Sequence, residues 1–547
     1  MWRRRKVLNL LLLVALVGGV VSGLRRGTEP VAQELTFDDR VGLPLRYTLI
    51  PERAPPPTPA ELLERRLGAL AASVEARMQA GALQMGGLIE FDVEGLAARL
   101  EQILGRLDQV AQVSVHVRDL ESQHVLFDYF GDAPLAPASN QKLLTGSAAL
   151  DLLGVDYTFA TRVYVAGKTL YLVGEGDPTL LADDIHALAA LVVEQVEVAE
   201  LERLVVDDSA FSPERLGPGY AADGPGYAYQ APSGALSLSF NTVEVTVYPI
   251  RGSSTLGVFL DIPSRHVVID NRGRRGSRRT LNVRTLERGD ETVVEVTGTL
   301  PASSRPVKIR RRIADPGLFT GGAFAHVLGQ LTASQPLPVE RGKVPITAEL
   351  LLVNESAPLI EVIDSGLAYS NNFMSEQVLR TTAWRMTGHP GDWDAGRLIL
   401  REYWTALGGN PDALVVHNAS GLTYEGRATT AGLVDLITMA HRNARSGESL
   451  IDVLPVAGEP GTMRSRLRMS GKRVRAKTGT LDGVSGLTGV ITREDGTPQV
   501  AFSILINVYE VGRMYAKNRR DVEDRIVMAV IASLDDYEAR RGGIVRR

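Results

Sequence analysis

Between about residues 160 and 345 the chain runs through short segments that alternate apolar and polar residues, and this stretch sits between two regions where helical patterns are prominent. Arg162–Val165, Thr169–Val173, Val243–Tyr248, Val258–Ile262, Val267–Ile269 and Thr292–Val296 read as strands, with one helix around His186–Glu197. Gly176-Asp177-Pro178 and Gly217-Pro218-Gly219 punctuate them as turns. Ahead of this middle lie two strands, Val113–Val117 and Val125–Phe130, then a helix from about Ser139 to Leu153 with Gly154 as its stop. Beyond residue 355 come helices at 358–365, 372–387 and 393–407. A terminal β-hairpin follows, Leu487–Thr492 and Val500–Val508 turned by Asp495-Gly496, and then a last helix at about Asp521–Arg540. Elements of one kind on both sides of a β-rich middle predict one α/β (α+β) domain split by an insertion. The 547 residues leave ample length for both.

Two compositional facts remove whole classes of chemistry. The chain has no cysteine, so thiol nucleophiles, zinc ribbons, iron–sulfur clusters and disulfides are excluded together. The net charge of −4 gives no bulk electrostatic case for nucleic-acid binding. The eight histidines are scattered without ligand spacing, and neither a metal nor another cofactor is expected. At the N-terminus, Trp2-Arg3-Arg4-Arg5-Lys6 precedes the uncharged, Leu/Val-rich run Val7–Leu24. That pattern reads residues 1–26 as a secretory signal or a membrane anchor, so the rest is expected to be exported to the periplasm or cell envelope, with membrane contact through this segment if it is retained. Residues 27–94 read as a linker, stiffened by Pro55-Pro56-Pro57-Thr58-Pro59, and a helical extension; the helical pattern runs from Ala60 to Leu107 with a break at Gly86-Gly87.

Lysine is scarce: eight among 60 basic residues, at 6, 142, 168, 308, 343, 472, 477 and 517. Where bulk charge suffices the chain uses Arg, so a retained Lys is a candidate for proton transfer, which Arg cannot perform. Lys142 follows Ser139 by three residues and shares its helix face, which brings an amine to a hydroxyl beside the amides of a helix N-terminus. No other lysine has Ser at that offset. Taken alone, the same spacing also describes a capping Ser with a solvated Lys. Lys477-Thr478-Gly479-Thr480 continues the alternating Arg473–Ala476 and reads as a strand, with Gly479 expected to leave a cleft wall open to a ligand backbone. Ser370-Asn371-Asn372 falls between two helices; Ser239-Phe240-Asn241 has the same form but lies in an alternating run and reads as structural.

Read in order, these are S-x-x-K, S-x-N and K-T-G, the set carried by penicillin-binding proteins and serine β-lactamases. The interval from Ser139 to Ser370 is 231 residues and that from Ser370 to Lys477 is 107, and the first leaves no place for a compact β-lactamase. The chain resembles the D-alanyl-D-alanine carboxypeptidase/endopeptidase family of class C low-molecular-mass penicillin-binding proteins, peptidase family S13. Leu172–Leu180 (LVGEGDPTL), Ala235–Thr242 (ALSLSFNT), Asn418–Leu422 (NASGL), Leu454–Gly458 (LPVAG) with Gly461-Thr462, and Lys477–Leu481 (KTGTL) extend the likeness over roughly residues 95–540. The resemblance implies a transpeptidase-like, serine β-lactamase-like domain at 95–175 and 350–540, split by inserted β-rich domains at 176–349. Two departures stand out: Ser370-Asn371-Asn372 where the family usually has Ser-Asp-Asn, and Asn418-Ala419-Ser420-Gly421-Leu422 where it usually has Asp-Gly-Ser-Gly-Leu.

The resemblance also implies roles. Ser139 would attack the carbonyl of the penultimate D-Ala of a peptidoglycan stem peptide, with Lys142 taking its proton. Lys477 would lower the pKa of Lys142 and attract the substrate carboxylate together with Thr478 and Thr480. Ser370 would relay a proton to the leaving amine, Asn372 would bind the acyl side-chain amide, and the N–H groups of Ser139 and Thr480 would form the oxyanion hole. β-Lactam antibiotics would acylate Ser139 and act as inhibitors. The alternatives are a β-lactamase-like hydrolase or a catalytically degenerate wall-binding protein. The basic runs Arg272–Arg279 and Lys308–Arg312 read as solvated charge or as contacts to anionic wall polymers. Asp207-Asp208 reads as a turn or as a reader of a substrate ammonium.

Overall fold

The computed structural model describes residues 90–105, 107–442, 449–512 and 514–545. The segment expected to be a signal or anchor, the proline linker and the helical pattern before residue 90 lie outside the described residues. Among those described, no helix is long and apolar enough to cross a membrane.

The flanking segments build one antiparallel five-stranded sheet. Its strands are β1 (Ala111–Asp119), β2 (Val125–Tyr129), β3 (Val474–Leu481), β4 (Val484–Thr492) and β5 (Pro498–Val508), in the spatial order β3-β4-β5-β1-β2. Residues 111–119 and 500–508 pair across the whole chain, Val115 opposite Ile504, which closes the split domain. β3 is the edge strand of this sheet, paired with β4 so that Lys477 lies opposite Thr488 and Gly479 opposite Gly486. Both faces of the sheet are covered, so β4 is buried at every position. Val500, Phe502, Ile504 and Ile506 point into one core, formed with helices α1 (Val93–Leu104) and α7 (Ala516–Val545). Ala501 and Leu505 alternate into a second core. That core is made with α2 (Gln141–Leu153), α3 (Leu359–Ala368), α4 (Asn372–Thr387), α5 (Trp393–Ala406) and α6 (Thr430–Arg442).

The insertion has its own core. A five-stranded sheet runs in the order Val339–Arg341, Arg203–Asp207, Thr169–Gly174, Ala160–Ala166, Glu349–Glu355. Helices Ala182–Gln195 and Pro316–Thr332 bury Ile185, Leu188, Phe319 and Phe324 with it. Two three-stranded sheets and one two-stranded sheet complete the insertion. The sequence boundary at 175/176 shifts as a result. Ala160–Ala166 and Thr169–Gly174 form a hairpin that sends Val163, Leu170 and Leu172 into the insertion core, so the inserted sheet begins at Ala160 and ends at Glu355.

Two helices escaped the sequence reading. Pro316–Thr332 is buried at nearly every position up to Gly329 and therefore shows no polar stripe; its start is fixed by Asp315, whose carboxylate accepts from Leu318 N, with Pro316 at the first helical position. Thr430–Arg442 carries Gly432 and two threonines, which weaken its helical signal. Ser239–Asn241 is also not strand: all three residues lie at positive φ in a single turn, and Asn241 Nδ2 donates to Pro232 O and Ser237 Oγ.

Candidate active site

The Ser139 helix starts two residues later than its sequence pattern suggests. Ala138–Asn140 forms a 3-10 turn and the α-helix begins at Gln141. Ala138 is held at φ 46°, and Asn140 Nδ2 donates to Pro137 O at 3.0 Å, which fixes the turn from within. Ser139 stays partly exposed in the middle of this turn, while Lys142, on the first turn of α2, is buried.

Lys142 Nζ has three oxygen partners: Ser139 Oγ at 2.9 Å, Asn372 Oδ1 at 2.7 Å and the Ser420 carbonyl at 2.7 Å. Two of these can only accept, and the third is a hydroxyl that can also donate. A neutral amine therefore satisfies the site by donating twice and receiving the Ser139 proton on its lone pair. Burial pushes the Lys142 amine down to about 7, with Glu376 acting in the opposite direction.

Lys477, fully buried on β3, reaches Ser370 Oγ at 2.9 Å and donates to Thr478 O at 2.7 Å. Ser370 sits in the left-handed region at φ 53°, between α3 and α4. Burial first, and the Lys142 charge second, hold Lys477 well below the usual lysine range. Desolvation is thus the larger cause at both amines, and the repulsion between them acts on each. The Asn372 amide oxygen accepts from Lys142, and its amide nitrogen donates to Tyr229 O at 2.9 Å.

Gly479 faces the other way from the sequence expectation. A Cβ there would lie 2.8 Å from Pro137 O and Asn140 Nδ2 and 3.2 Å from Ala138 Cβ. The glycine lets β3 close onto the turn that carries Ser139, and does not open a wall to ligand. On the same edge strand Thr478 is half-buried and Thr480 exposed.

The structure brings in residues that sequence reasoning left without a role. The Asn418–Leu422 loop supplies the Ser420 carbonyl to Lys142 and the Ala419 carbonyl to Thr145 Oγ1 at 2.8 Å. Gly421, at φ +74°, approaches Ala138 O so closely that a Cβ would sit 1.9 Å from it. Asn418, where the family pattern has Asp, accepts from Gly421 N at 2.8 Å, as a carboxylate would, and donates to Pro218 O at 2.9 Å, which a carboxylate could not do. Helix α4 is the common mast. Asn372 meets Lys142, Glu376 binds the loop, and Gln377 Nε2 donates to Gly234 O and reaches Gly176 O and Ser237 Oγ. LVGEGDPTL and ALSLSFNT, unexplained as sequence, thus dock on the helix that carries the site.

Other candidates resolve into local structure. Asp207 accepts from the backbone of Ser209 and Val344, and Asp208 pairs with Arg341. In the basic runs Lys308 pairs with Glu244 and Arg272 with Asp270, while Arg312 donates to the carbonyls of Ala221 and Ala222. Among the described residues there is no cluster of three His, Asp or Glu that could hold a metal.

Comparison with known proteins follows the same geography. The family model described as D-Ala-D-Ala carboxypeptidase 3 (S13) matches residues 94–530. A D-alanyl-D-alanine carboxypeptidase of Actinomadura sp. (strain R39) is 32% identical over 444 residues, 75% of this chain and 82% of that protein. The crystal structure of penicillin binding protein 4 (dacB) from Haemophilus influenzae superposes with a TM-score of 0.67 at 21% identity, covering 80% of this chain and 99% of that one. The same protein complexed with a β-lactam superposes with a TM-score of 0.63 at 20% identity, over the same shares of the two chains. With its sheet, split and insertion in common with that fold, the chain belongs to the D-Ala-D-Ala carboxypeptidase 3 (S13) family of serine peptidases.

Proposed function

We propose that the chain is a serine-type D-alanyl-D-alanine carboxypeptidase acting on peptidoglycan stem peptides through an acyl-enzyme on Ser139, with D,D-endopeptidase action on cross-links as the same reaction with a larger leaving amine. One observation carries this reading: a buried amine, disposed to be neutral near pH 7, stands 2.9 Å from the hydroxyl of a partly exposed serine. Family membership agrees with it.

In this mechanism the Ser139 proton passes to Lys142 as Oγ attacks the penultimate D-Ala carbonyl. The N–H groups of Ser139 and Thr480 receive the oxyanion, each worth about 3 kcal/mol. Lys477, with Thr478 and Thr480, takes the terminal carboxylate, whose charge offsets the cost of protonating a buried amine. Ser370, hydrogen-bonded to Lys477, delivers a proton to the leaving nitrogen. Gly479 sets the distance between β3 and the Ser139 turn. Water then hydrolyses the ester. A β-lactam enters the same site and acylates Ser139. The cationic Trp2–Lys6 and the apolar run to Leu24 support export to the cell envelope, where this substrate lies.

The test is labelling with a fluorescent penicillin, followed by intact-mass analysis, on wild type and Ser139→Ala. A stable adduct on the wild type alone is the expected result; pentapeptide and cross-linked muropeptides then separate the two peptidase activities. A folded wild type that takes no label would overturn the reading, and an adduct lost within seconds would replace it with a β-lactamase.

A further inference from the structure

Glu376 lies one helical turn beyond Asn372 and is 1% exposed. Its carboxylate accepts four hydrogen bonds from three parts of the chain. Oε2 takes Trp393 Nε1 at 2.7 Å and Ala419 N at 3.2 Å; Oε1 takes Ser420 N at 3.1 Å and the Tyr220 hydroxyl at 3.2 Å. All four partners donate, the pattern that suits an ionised carboxylate. Tyr220 OH lies 3.1 Å from Ser420 Oγ as well, so the insertion, α5 and the Asn418–Leu422 loop meet at this one group.

We propose that Glu376 is a positioning residue for Lys142: by binding the N–H groups of Ala419 and Ser420 it fixes the loop whose Ser420 carbonyl accepts from Lys142 Nζ, and it places a negative charge behind that amine. The inference rests on the serine-acylation reading and extends it. Removing a buried charge of this kind changes what the amine does as well as how it is held. The groups facing Lys142 are Ser139 on its own turn, Lys477 on β3, Asn372 and Glu376 on α4, and the Ser420 carbonyl. Glu376 in turn faces Tyr220, Trp393 and the Arg380 guanidinium one turn further along α4. Glu376 acts to keep Lys142 protonated against the opposing effect of burial. Without the carboxylate charge, Lys142 loses its proton at a lower pH.

The experiment is the pH dependence, from 5 to 9, of the second-order rate at which a fluorescent penicillin acylates the full chain, on wild type, Glu376→Gln and Trp393→Phe. In Glu376→Gln the acid limb is expected to move to lower pH by about one unit, with a lower plateau rate. In Trp393→Phe the carboxylate loses its shortest donor, which disfavours its ionised form, so the limb is expected to move the same way but less far. A purely structural Glu376 would lower the rate at every pH and leave the limb in place in both variants, which overturns the inference. If Glu376→Gln does not fold, the direction of the limb in Trp393→Phe decides alone. An absence of adduct on wild type is the failure of the serine-acylation reading, whereas an unmoved limb in acylating variants is the failure of this one.

Discussion

Lys477 Nζ stands 2.9 Å from Ser370 Oγ, the same spacing that separates Lys142 Nζ from Ser139 Oγ. The site therefore contains two serine–lysine pairs, one on the α2 turn and one that joins an edge strand to the loop before α4. Both lysines are buried, and in such surroundings two neighbouring ammonium groups are not jointly stable. A proton taken from Ser139 can enter at one pair and leave at the other. The separation of roles requires β3, α2 and α4 to be held in register, which is what the buried contacts of Gly479, Gln377 and Glu376 accomplish.

The Lys142 amine, held near 7, sets the pH dependence of acylation. The neutral amine is the base, so the acylation rate rises through about pH 7 and levels off above it. Stability follows the same group. Its proton is held in the unfolded chain up to about pH 10.4 and released in the folded chain near 7, so between those values the unfolded state binds more protons and stability increases with pH. Against Lys142→Met, wild type gains about 1 kcal/mol per pH unit across that window. Paired denaturation curves at pH 7, 8 and 9 measure it; a constant difference would show that Lys142 is protonated in the fold.

Gly479→Ala places a methyl 2.8 Å from the Pro137 carbonyl and Asn140 Nδ2, and the backbone carbonyl has no flexible end to give way. β3 and the Ser139 turn must separate by several tenths of an ångström, which misaligns the nucleophile. Acylation is expected to slow by about 10- to 100-fold while the protein stays folded. Stopped-flow labelling with a fluorescent penicillin reads the rate, and a wild-type rate in this variant would refute the close-packing argument.

The triad was legible because its residue types and order are set by chemistry that tolerates little variation: Ser139 with Lys142, Ser370 with Asn372, Lys477 with Gly479. The paired strands were legible wherever one face alternates, as in Val113–Val117 and Thr169–Val173. What sequence hid depends on tertiary contact. Glu376 is a charged residue in a helix whose neighbours from Phe373 to Ala383 are all buried, and its significance lies in four donors supplied from residues 220, 393, 419 and 420. Gly479 was read as facing ligand because a strand pattern gives a two-fold choice of faces, and only the position of the Ser139 turn decides it. The helix Pro316–Thr332 was missed for a related reason: full burial erases the amphipathic period by which helices are recognised.

Arg380 holds the insertion to α4. Its fully buried guanidinium lies between the rings of Phe211 and Trp393, with the charge 4.6 and 4.2 Å from their centroids. It donates to the carbonyls of Ser212, Glu214, Ser233 and Gly391. Arg380→Ala takes a donor from all four carbonyls, leaves the buried Ser233 carbonyl without it and empties the space between the two rings, and is expected to cost about 3–5 kcal/mol. Lysine lacks the planar fork and does not rescue. Urea denaturation of both variants is the measurement, and a loss below about 1 kcal/mol in the alanine variant would contradict this role.

Asn371 stands where the family pattern has Asp, and its side chain caps α4 by accepting from Met374 N at 3.2 Å. An aspartate makes the same bond and adds a negative charge at the positive end of the helix, which stabilises by about 0.3–1 kcal/mol. Asn371→Asp is therefore expected to melt slightly higher than wild type, whereas Asn371→Ala loses the cap and about 1 kcal/mol. The added charge also lies beside Ser370 and Asn372, the partners of Lys477 and Lys142, and favours the protonated form of both amines. The acid limb of the acylation profile should then move to higher pH in Asn371→Asp, opposite to its direction in Glu376→Gln. Identical limbs in wild type and Asn371→Asp would mean that charge at this position is screened from the lysines, and that the cap alone distinguishes the two residues.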